Sequence, residues 1–199
     1  MLISVYRPRV ELMNALEALH NRVSQARLTA PGPDSTQRKA MFAAALRAAD
    51  HGRLRPWRFL LIENEGLKAL GDLFVEAARA DDPQISESAL ARFQAMPLRA
   101  PLIVAVIASC QEHPKVPEIE QQYSAAAAAQ NMITAAFALG LGAVWRTGDM
   151  AYHPHVRKGL GLGEREHLVG FLYIGTPETP AGEPPSVNSE DFFASWPSL

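Results

Sequence analysis

The sequence lacks the features that mark several large classes of protein. Cys110 is the single cysteine among 199 residues, so neither an internal disulfide nor a metal site built from several cysteines is possible. We therefore expect a reducing compartment and interpret Cys110 as a small buried apolar residue. No apolar run approaches the roughly 20 residues that cross a membrane, and residues 1–9 do not resemble a signal peptide. These absences predict a cytoplasmic protein without a membrane partner.

Excess positive charge and hydrolase motifs are also missing. The chain carries 19 basic and 21 acidic residues, a formal net charge of −2, which argues against the basic face that nucleic-acid binding requires. Neither Gly-x-Ser-x-Gly nor His-Glu-x-x-His occurs, so hydrolase chemistry has no visible residues to carry it. His153 and His155 flank a proline without a cysteine or carboxylate cluster nearby in sequence. We expect no metal site there.

The residues that are present suit one globular domain over residues 1–199. Hydrophobic residues make up 48% and charged residues 20% of the chain, which is ordinary for a globular protein and sufficient for a sizeable core. Apolar spacing alternates between helical and strand-like along the chain. The resulting order of helices and strands predicts a three-layer α+β sandwich.

Individual elements follow from apolar periodicity and from capping or breaking residues. The run at 102–108 is apolar throughout, which is typical of a central strand covered on both faces. Asp34 or Ser35 is predicted to cap the second helix and Asn64 the third. The first predicted helix ends near residue 22, and the others cover 35–49, 65–80, 86–96, 120–139 and 154–160. The predicted strands cover 57–62, 102–108, 143–146 and 168–174.

Two clusters of hydrogen-bond donors, far apart in sequence, indicate an anionic ligand. After the longest helix and a short strand, Arg146, Thr147 and Gly148 place a guanidinium, a hydroxyl and flexible backbone at a strand end. Residues 21–27 supply a second set of donors suited to phosphate. The glycines at 140 and 142 close a helix and precede a strand, the reverse of the dinucleotide-binding fingerprint. The two clusters together suggest a phosphorylated cofactor.

The order of these segments resembles the nitroreductase family of flavoproteins, in its small single-domain branch. Residues 21–24, Asn-Arg-Val-Ser, are similar to the Arg-Arg-Ser signature near the family's N-terminus. Residues 47–51 and then 55–59 look like the loop that ends in Gln-Pro-Trp-x-Phe. Residues 97–124, 140–148 and 170–177 continue the match. The resemblance covers about residues 12–190.

The resemblance implies a fold, a cofactor and an assembly. The fold is an α+β sandwich around a mixed, mostly antiparallel sheet, and two chains form an intertwined homodimer with FMN at the interface. NADH or NADPH would donate hydride, and a small electron-poor acceptor such as a nitroaromatic or a quinone would receive it. Residues 1–11 form an extension beyond the usual start. The tail at 178–199, with its aromatic residues, would dock on the partner subunit.

The resemblance also implies which side chains bind the flavin. One group lies near the phosphate and ribityl chain, with the backbone of its valine beside them, and a second closes the phosphate end. A third group would reach the flavin from the partner chain. The group near the phosphate and ribityl chain is Arg22, Val23 and Ser24. The group that closes the phosphate end is Trp145, Arg146 and Thr147, and the group from the partner chain is Arg47 and His51.

Two departures from the family pattern leave other readings open. Val23 stands where the signature has a second arginine, and Arg55 stands where the loop has glutamine, near the expected ring face or substrate mouth. Flavin supplies the redox chemistry, so no catalytic side chain is expected. One alternative is a flavin enzyme dedicated to another metabolite. The other, favoured by Val23 and Arg55, is a protein of the same fold that holds flavin without turnover.

Overall fold

The computed structural model describes residues 13–197, in which five strands form one antiparallel sheet. The longest strand, β5, lies inside the sheet and pairs with three others, and the apolar strand β3 connects it to β2. The strands are β1 (Leu28–Thr29), β2 (Trp57–Glu63), β3 (Leu102–Ser109), β4 (Gly142–Arg146) and β5 (Glu166–Pro177).

All strand pairs in residues 13–197 are antiparallel, where the resemblance implied a partly mixed sheet. The register between β2 and β3 explains why these two strands are antiparallel. Glu63, at the end of β2, lies opposite Leu102, at the start of β3. The helical segment between β2 and β3 therefore brings the chain back to the same end of the sheet at which β2 finished. A parallel neighbour would require a crossover to the other end.

Helices cover both faces of this sheet. The two longest, α3 and α5, lie on opposite faces, and α2 packs beside α5. The helices are α1 (Ala15–Asn21), α2 (Ser35–Ala45), α3 (Glu65–Asp81), α4 (Glu87–Ala95), α5 (Glu118–Ala138), α6 (Asp149–Tyr152) and α7 (Pro154–Gly159).

Alternate residues of β3 build two cores. Ile103 and Ile107 point into the core beneath α3 and α4, while Val104 and Val106 point into the core beneath α2 and α5. All four are fully buried, as expected for a central strand with helices on both sides. This arrangement confirms the three-layer α+β sandwich.

The predicted helix caps have mixed outcomes. The Asp34 side chain accepts hydrogen bonds from the backbone N–H groups of Thr36 and Gln37, at 2.8 Å each, and begins α2 as predicted. The prediction for Asn64 is wrong, because its side chain makes no capping bond. Asn64 has φ 52° in the tight turn from β2 into α3, outside the extended conformation that a capping residue adopts.

Other differences concern short or polar segments. Residues 10–12 of the first predicted helix lie outside the described residues, and α1 begins after a capping box formed by Asn14 and Glu17. The elements β1 and α6 were not predicted, and α2 ends four residues earlier than expected. None of the helices in residues 13–197 combines the length and apolar character needed to span a bilayer.

The tail after β5 places its aromatic side chains in solvent. Phe192, Phe193 and Trp196 are 74%, 80% and 94% exposed. They therefore do not dock on their own chain.

Candidate functional site

The segment after α1 lies beside the edge of β4. The backbone N–H of Gln25 donates to the carbonyl of Ala143 at 3.0 Å, and Thr147 lies four residues further along the chain from Ala143. At about 3.3 Å per strand residue, this separation is roughly 13 Å. Arg22 is half-buried and Ser24 is exposed. The two donor clusters identified in the sequence thus belong to one edge of the molecule.

Trp145 is fixed by an irregularity in the neighbouring strand. Val106 lies opposite Gly170 and Ile107 lies opposite Leu168, so Val169 is an extra residue and forms a β-bulge in β5. The bulge leaves the carbonyl of Val169 free to accept a hydrogen bond from Trp145 Nε1 at 3.2 Å. This bond sets the indole orientation immediately before the strand end.

Gly170 makes this arrangement possible. Its φ is 151°, a conformation that side-chain-bearing residues rarely adopt. A Cβ at this position would lie 2.9 Å from the carbonyl oxygen of Arg146 and closer still to Trp145 Nε1. Glycine therefore allows β4 and β5 to approach at the strand end.

The side chain of Arg146 points into a cavity of about 470 Å³, which Thr147 and Gly148 also line. Its guanidinium carbon lies 5.6 Å from the ring centre of Tyr173, within the range of a cation–π interaction. Arg99 lines the same cavity. Burial raises the pKa of the Tyr173 phenol, which is therefore a neutral hydrogen-bonding group at ordinary pH.

Arg146 carries a polar atom without a partner. Its Nε is buried and has no hydrogen-bond acceptor among the described residues. A buried donor left unpaired costs about 1–3 kcal/mol, and the group is a cation facing a cavity. An anionic ligand in the cavity would instead meet Arg99, Arg146 and Thr147 in the lining, where Asp149 is the one acidic residue.

Arg47 lines a different cavity, of about 440 Å³, together with Arg53 and Arg55. The carboxylate of Asp50 is already engaged, since it accepts the backbone N–H groups of Leu54 at 3.1 Å and Arg55 at 2.8 Å. These bonds hold a turn in which Arg53 and Arg55 have φ of 56° and 50°. None of the three arginines forms an ion pair within residues 13–197, so this cavity is also positively charged.

His51 is held away from that cavity by α5. Its Nδ1 lies 2.7 Å from a carboxylate oxygen of Glu120, and both side chains are exposed. The structure of one chain therefore brings Trp145, Arg146 and Thr147 together beside the segment that carries Arg22. It places Arg47 and His51 in a separate region.

Sequence reasoning missed three residues of these cavities. Arg99 and Tyr173 lie in segments that carried the family resemblance, but no spacing rule connects either with Arg146. Arg53 was hidden in a polar loop, where its conformation depends on the hydrogen bonds of Asp50. The only sequence signal for Arg99 and Tyr173 was their place within recognised motifs, and Arg53 had none.

Comparison with known proteins gives a consistent result. The family model described as "Nitroreductase family" matches residues 19–176. The chain is 41% identical over 182 residues to "Putative NAD(P)H nitroreductase YdjA" of Escherichia coli (strain K12), covering 90% of this chain and 96% of that protein. It is 36% identical over 165 residues to a Haemophilus influenzae "Putative NAD(P)H nitroreductase", covering 82% and 89%.

Solved structures share the fold. A nitroreductase-like family protein from Bacillus cereus has a TM-score of 0.75 at 24% identity, covering 92% of this chain and 97% of that one. A variant of NfnB, an FMN- and NADPH-dependent nitroreductase from Sphingopyxis sp. strain HMH, has a TM-score of 0.70 at 21% identity, covering 93% and 100%. The likeness extends over nearly the whole described chain.

Proposed function

The chain belongs to the nitroreductase family, and from this premise we propose an FMN-dependent oxidoreductase that passes hydride from NADH or NADPH to a small electron-poor acceptor. The relatives named as NAD(P)H nitroreductases support the reductant, and the FMN-dependent structural neighbour supports the flavin. Nitroaromatics and quinones are the acceptor classes proposed.

The observation that carries the proposal is the placement of Arg99, Arg146 and Thr147 in the lining of one cavity at the end of β4. The FMN phosphate is a dianion with several acceptor oxygens, and charge-assisted bonds to such groups are about twice as strong as neutral ones. Arg146 and Thr147 would hold the phosphate end, with Arg22, Ser24 and the backbone of Val23 contributing from the adjoining segment. The donors present therefore fit the group.

Bound FMN would supply hydride transfer, which no side chain performs. The chain's own residues bind and orient. The hydrogen bond from Trp145 to Val169 fixes the strand end, and Phe171 and Tyr173 line the cavity beside it. Arg55 shares the cavity of Arg47. In a dimer it would approach the mouth of the other chain's site and favour acceptors that carry negative charge.

A second copy of the chain would complete the site. Leu46 and Leu61 are 56% and 44% exposed and line an apolar depression between α2 and β2. Exposed apolar groups of this kind mark interaction surfaces. In the proposed homodimer, Arg47 and His51 of one chain reach the flavin held by the other, which accounts for their separation from Arg146 within one chain.

Absorbance spectroscopy of the purified protein tests this function. We expect a yellow protein, or a colourless one that turns yellow with added FMN, whose flavin bands bleach with NADH or NADPH under anaerobic conditions. A nitroaromatic or a quinone should then restore the colour. A protein that ignores added FMN would contradict the proposal.

The same experiment separates the alternatives. Flavin that stays bound but is not bleached by either nicotinamide would favour a binding protein without turnover, the reading that Val23 and Arg55 support. Flavin that is bleached but not reoxidised by the acceptor panel would favour an enzyme dedicated to another metabolite.

A further inference from the structure

Three potential metal ligands that are separated in sequence lie close together at one corner of the fold. Cys110 follows β3, Glu118 is the first residue of α5, and His167 is the second residue of β5. One ligand atom from each, a thiol sulfur, a carboxylate oxygen and an imidazole nitrogen, lies within 4.8 Å of the other two. Among residues 13–197 this is the one such group of three.

Backbone hydrogen bonds hold the chain at two of these residues. The backbone N–H of Cys110 donates to the carbonyl of Arg165 at 3.0 Å, and His167 pairs with Ala108 across the sheet. These bonds connect the thiol and the imidazole to adjacent strands. Ligands held on rigid elements need little reorganisation when an ion binds.

The loop from Cys110 to Glu118 is held by a buried amide. Gln121 is 1% exposed, and its side chain bonds to the N–H of Gln111 at 2.9 Å, to the carbonyl of Gln111 at 2.8 Å and to the carbonyl of Val116 at 3.3 Å. Both ends of the loop are therefore held in place. The separation of Cys110 from Glu118 is set by these bonds.

The chemistry of the three donors selects the ion. Zn²⁺ binds thiolate, imidazole and carboxylate in tetrahedral sites, and three protein ligands leave a fourth position for water. A thiolate disfavours Mg²⁺ and Ca²⁺, which prefer oxygen ligands. One thiolate and one carboxylate also balance the charge of a divalent ion, so the complex would be neutral in a partly buried site.

From this geometry we propose that Cys110, Glu118 and His167 form a binding site for a thiophilic divalent cation, with Zn²⁺ the best match. His167 Nε2 and Glu118 Oε1 hydrogen-bond to each other without the ion. Ligand atoms around tetrahedral zinc are roughly 3.3 Å apart for metal–ligand bonds of about 2.0 Å, so the pair opens by less than 1 Å. Binding releases the thiol proton of Cys110.

The sequence concealed this site because its ligands are separated by 8 and 49 residues and follow no zinc motif. Their meeting depends on the pairing of β3 with β5 and on the position of α5.

Zinc binding by the purified, tag-free protein provides the test. We expect one Zn²⁺ per chain by atomic emission after gel filtration, with an affinity measured by competition against a chromophoric chelator. X-ray absorption at the zinc edge should show one sulfur at about 2.3 Å and nitrogen or oxygen neighbours at about 2.0 Å. The zinc edge is not obscured by flavin colour.

Variants locate the ion. Cys110→Ser should remove the sulfur signal, and both Cys110→Ser and His167→Gln should weaken Zn²⁺ binding at least tenfold. His155→Gln is the matched control, because His155 pairs with Glu76 on α3 and should leave affinity unchanged. Circular dichroism tests whether each variant is folded. If Cys110→Ser is unfolded, the zinc affinity of His167→Gln decides whether the site exists.

Zinc bound without sulfur in its shell, or with equal affinity in wild type and His167→Gln, would overturn the proposal. FMN content and NADPH bleaching are measured separately on the same samples. The zinc result therefore stands or falls independently of the proposed oxidoreductase activity.

Discussion

Arg22 and Arg146 differ in how far each is engaged within its own chain. Arg146 stacks near Tyr173 and has a buried Nε without an acceptor. Arg22 ends α1, where its backbone N–H donates to the carbonyl of Ala18 at 3.1 Å. Its side chain enters no ion pair among the described residues. At the residue scale, Arg22 is therefore the arginine whose removal changes ligand binding with least effect on packing.

Replacing Arg22 by alanine should weaken FMN binding. A charge-assisted hydrogen bond contributes about 1.5–3 kcal/mol, which corresponds to an increase of about 10- to 100-fold in the FMN dissociation constant. The dissociation constant is measured by titrating the apoprotein with FMN and recording flavin fluorescence. Arg92→Ala removes an exposed arginine on α4, outside both donor clusters, and should change little. An unchanged dissociation constant in Arg22→Ala would exclude the phosphate assignment.

Residue-level prediction from sequence was possible only where the chemistry follows chain order. Arg146 and Thr147 were predicted as ligands because a guanidinium and a hydroxyl follow a short strand. Arg99 and Tyr173 were not, since their approach to Arg146 depends on strand pairing and helix packing. Whether the predicted ligands bind flavin stays a prediction until the titrations are made.

At the element scale, long elements were predicted well and local irregularities were not. The predicted strand at 102–108 matches β3 to within one residue, because its continuous apolar run suits one environment only. The bulge at Val169 was not predictable, since it requires the register of β3 against β5. The helix α6 has four residues, too few for apolar periodicity to appear.

Gly170→Ala should destabilise the protein through this bulge. An added Cβ would collide with Trp145 and with the carbonyl of Arg146, and overpacking of this kind costs about 1–3 kcal/mol. Chemical denaturation measures the free energy of unfolding, and tryptophan fluorescence reports displacement of the indole. Gly182→Ala is the control, because nothing lies within 4 Å of its Cβ position. Equal stability of the two variants would refute the close approach.

The ion pair between Arg58 and Glu166 connects β2 to β5 across β3. Two hydrogen bonds of 2.6 Å join the guanidinium to the carboxylate and hold the pKa of Glu166 well below its usual range, at about 2. The folded state therefore takes up this proton less readily than the unfolded state. Its stabilising contribution is complete above about pH 5 and is lost as pH falls towards 2.

Glu166→Gln should abolish this pH dependence. We expect a loss of about 1–2 kcal/mol at pH 7, a range reduced because Arg58 is one-third exposed and solvent screens the pair. The two proteins should converge in stability near pH 2. Urea denaturation between pH 2 and 7 measures the free energy of unfolding of both proteins. Glu112→Gln, in an exposed ion pair with Arg165, is the control. Parallel stability curves for wild type and Glu166→Gln would contradict the assignment.

At the scale of the whole molecule, one chain leaves apolar surface uncovered. Phe192, Phe193 and Trp196 are exposed at the end of the described chain, and Leu46 is exposed beside α2. Their exposure is consistent with the proposed homodimer, in which the tail of each chain would cover the other. Sequence composition predicted an aromatic tail that docks, and the aromatic side chains of that tail are largely exposed on their own chain.

Substituting the three tail aromatics by alanine should weaken that dimer. Each buried aromatic contributes about 1.5–3 kcal/mol, so we expect at least a hundredfold increase in the dimer dissociation constant by sedimentation equilibrium. Ser189→Ala, in the same tail, is the control. A dimer of unchanged affinity would show that the tail does not contribute to the interface.

The central position of β5 also has a consequence for biosynthesis. The strands β1, β3 and β4 precede it in chain order, and each pairs with it. None of these three pairings can form until residues 166–177 have left the ribosome. A nascent chain therefore lacks the frame that orients Trp145 through most of translation, and it becomes competent to retain a ligand only once that strand has emerged.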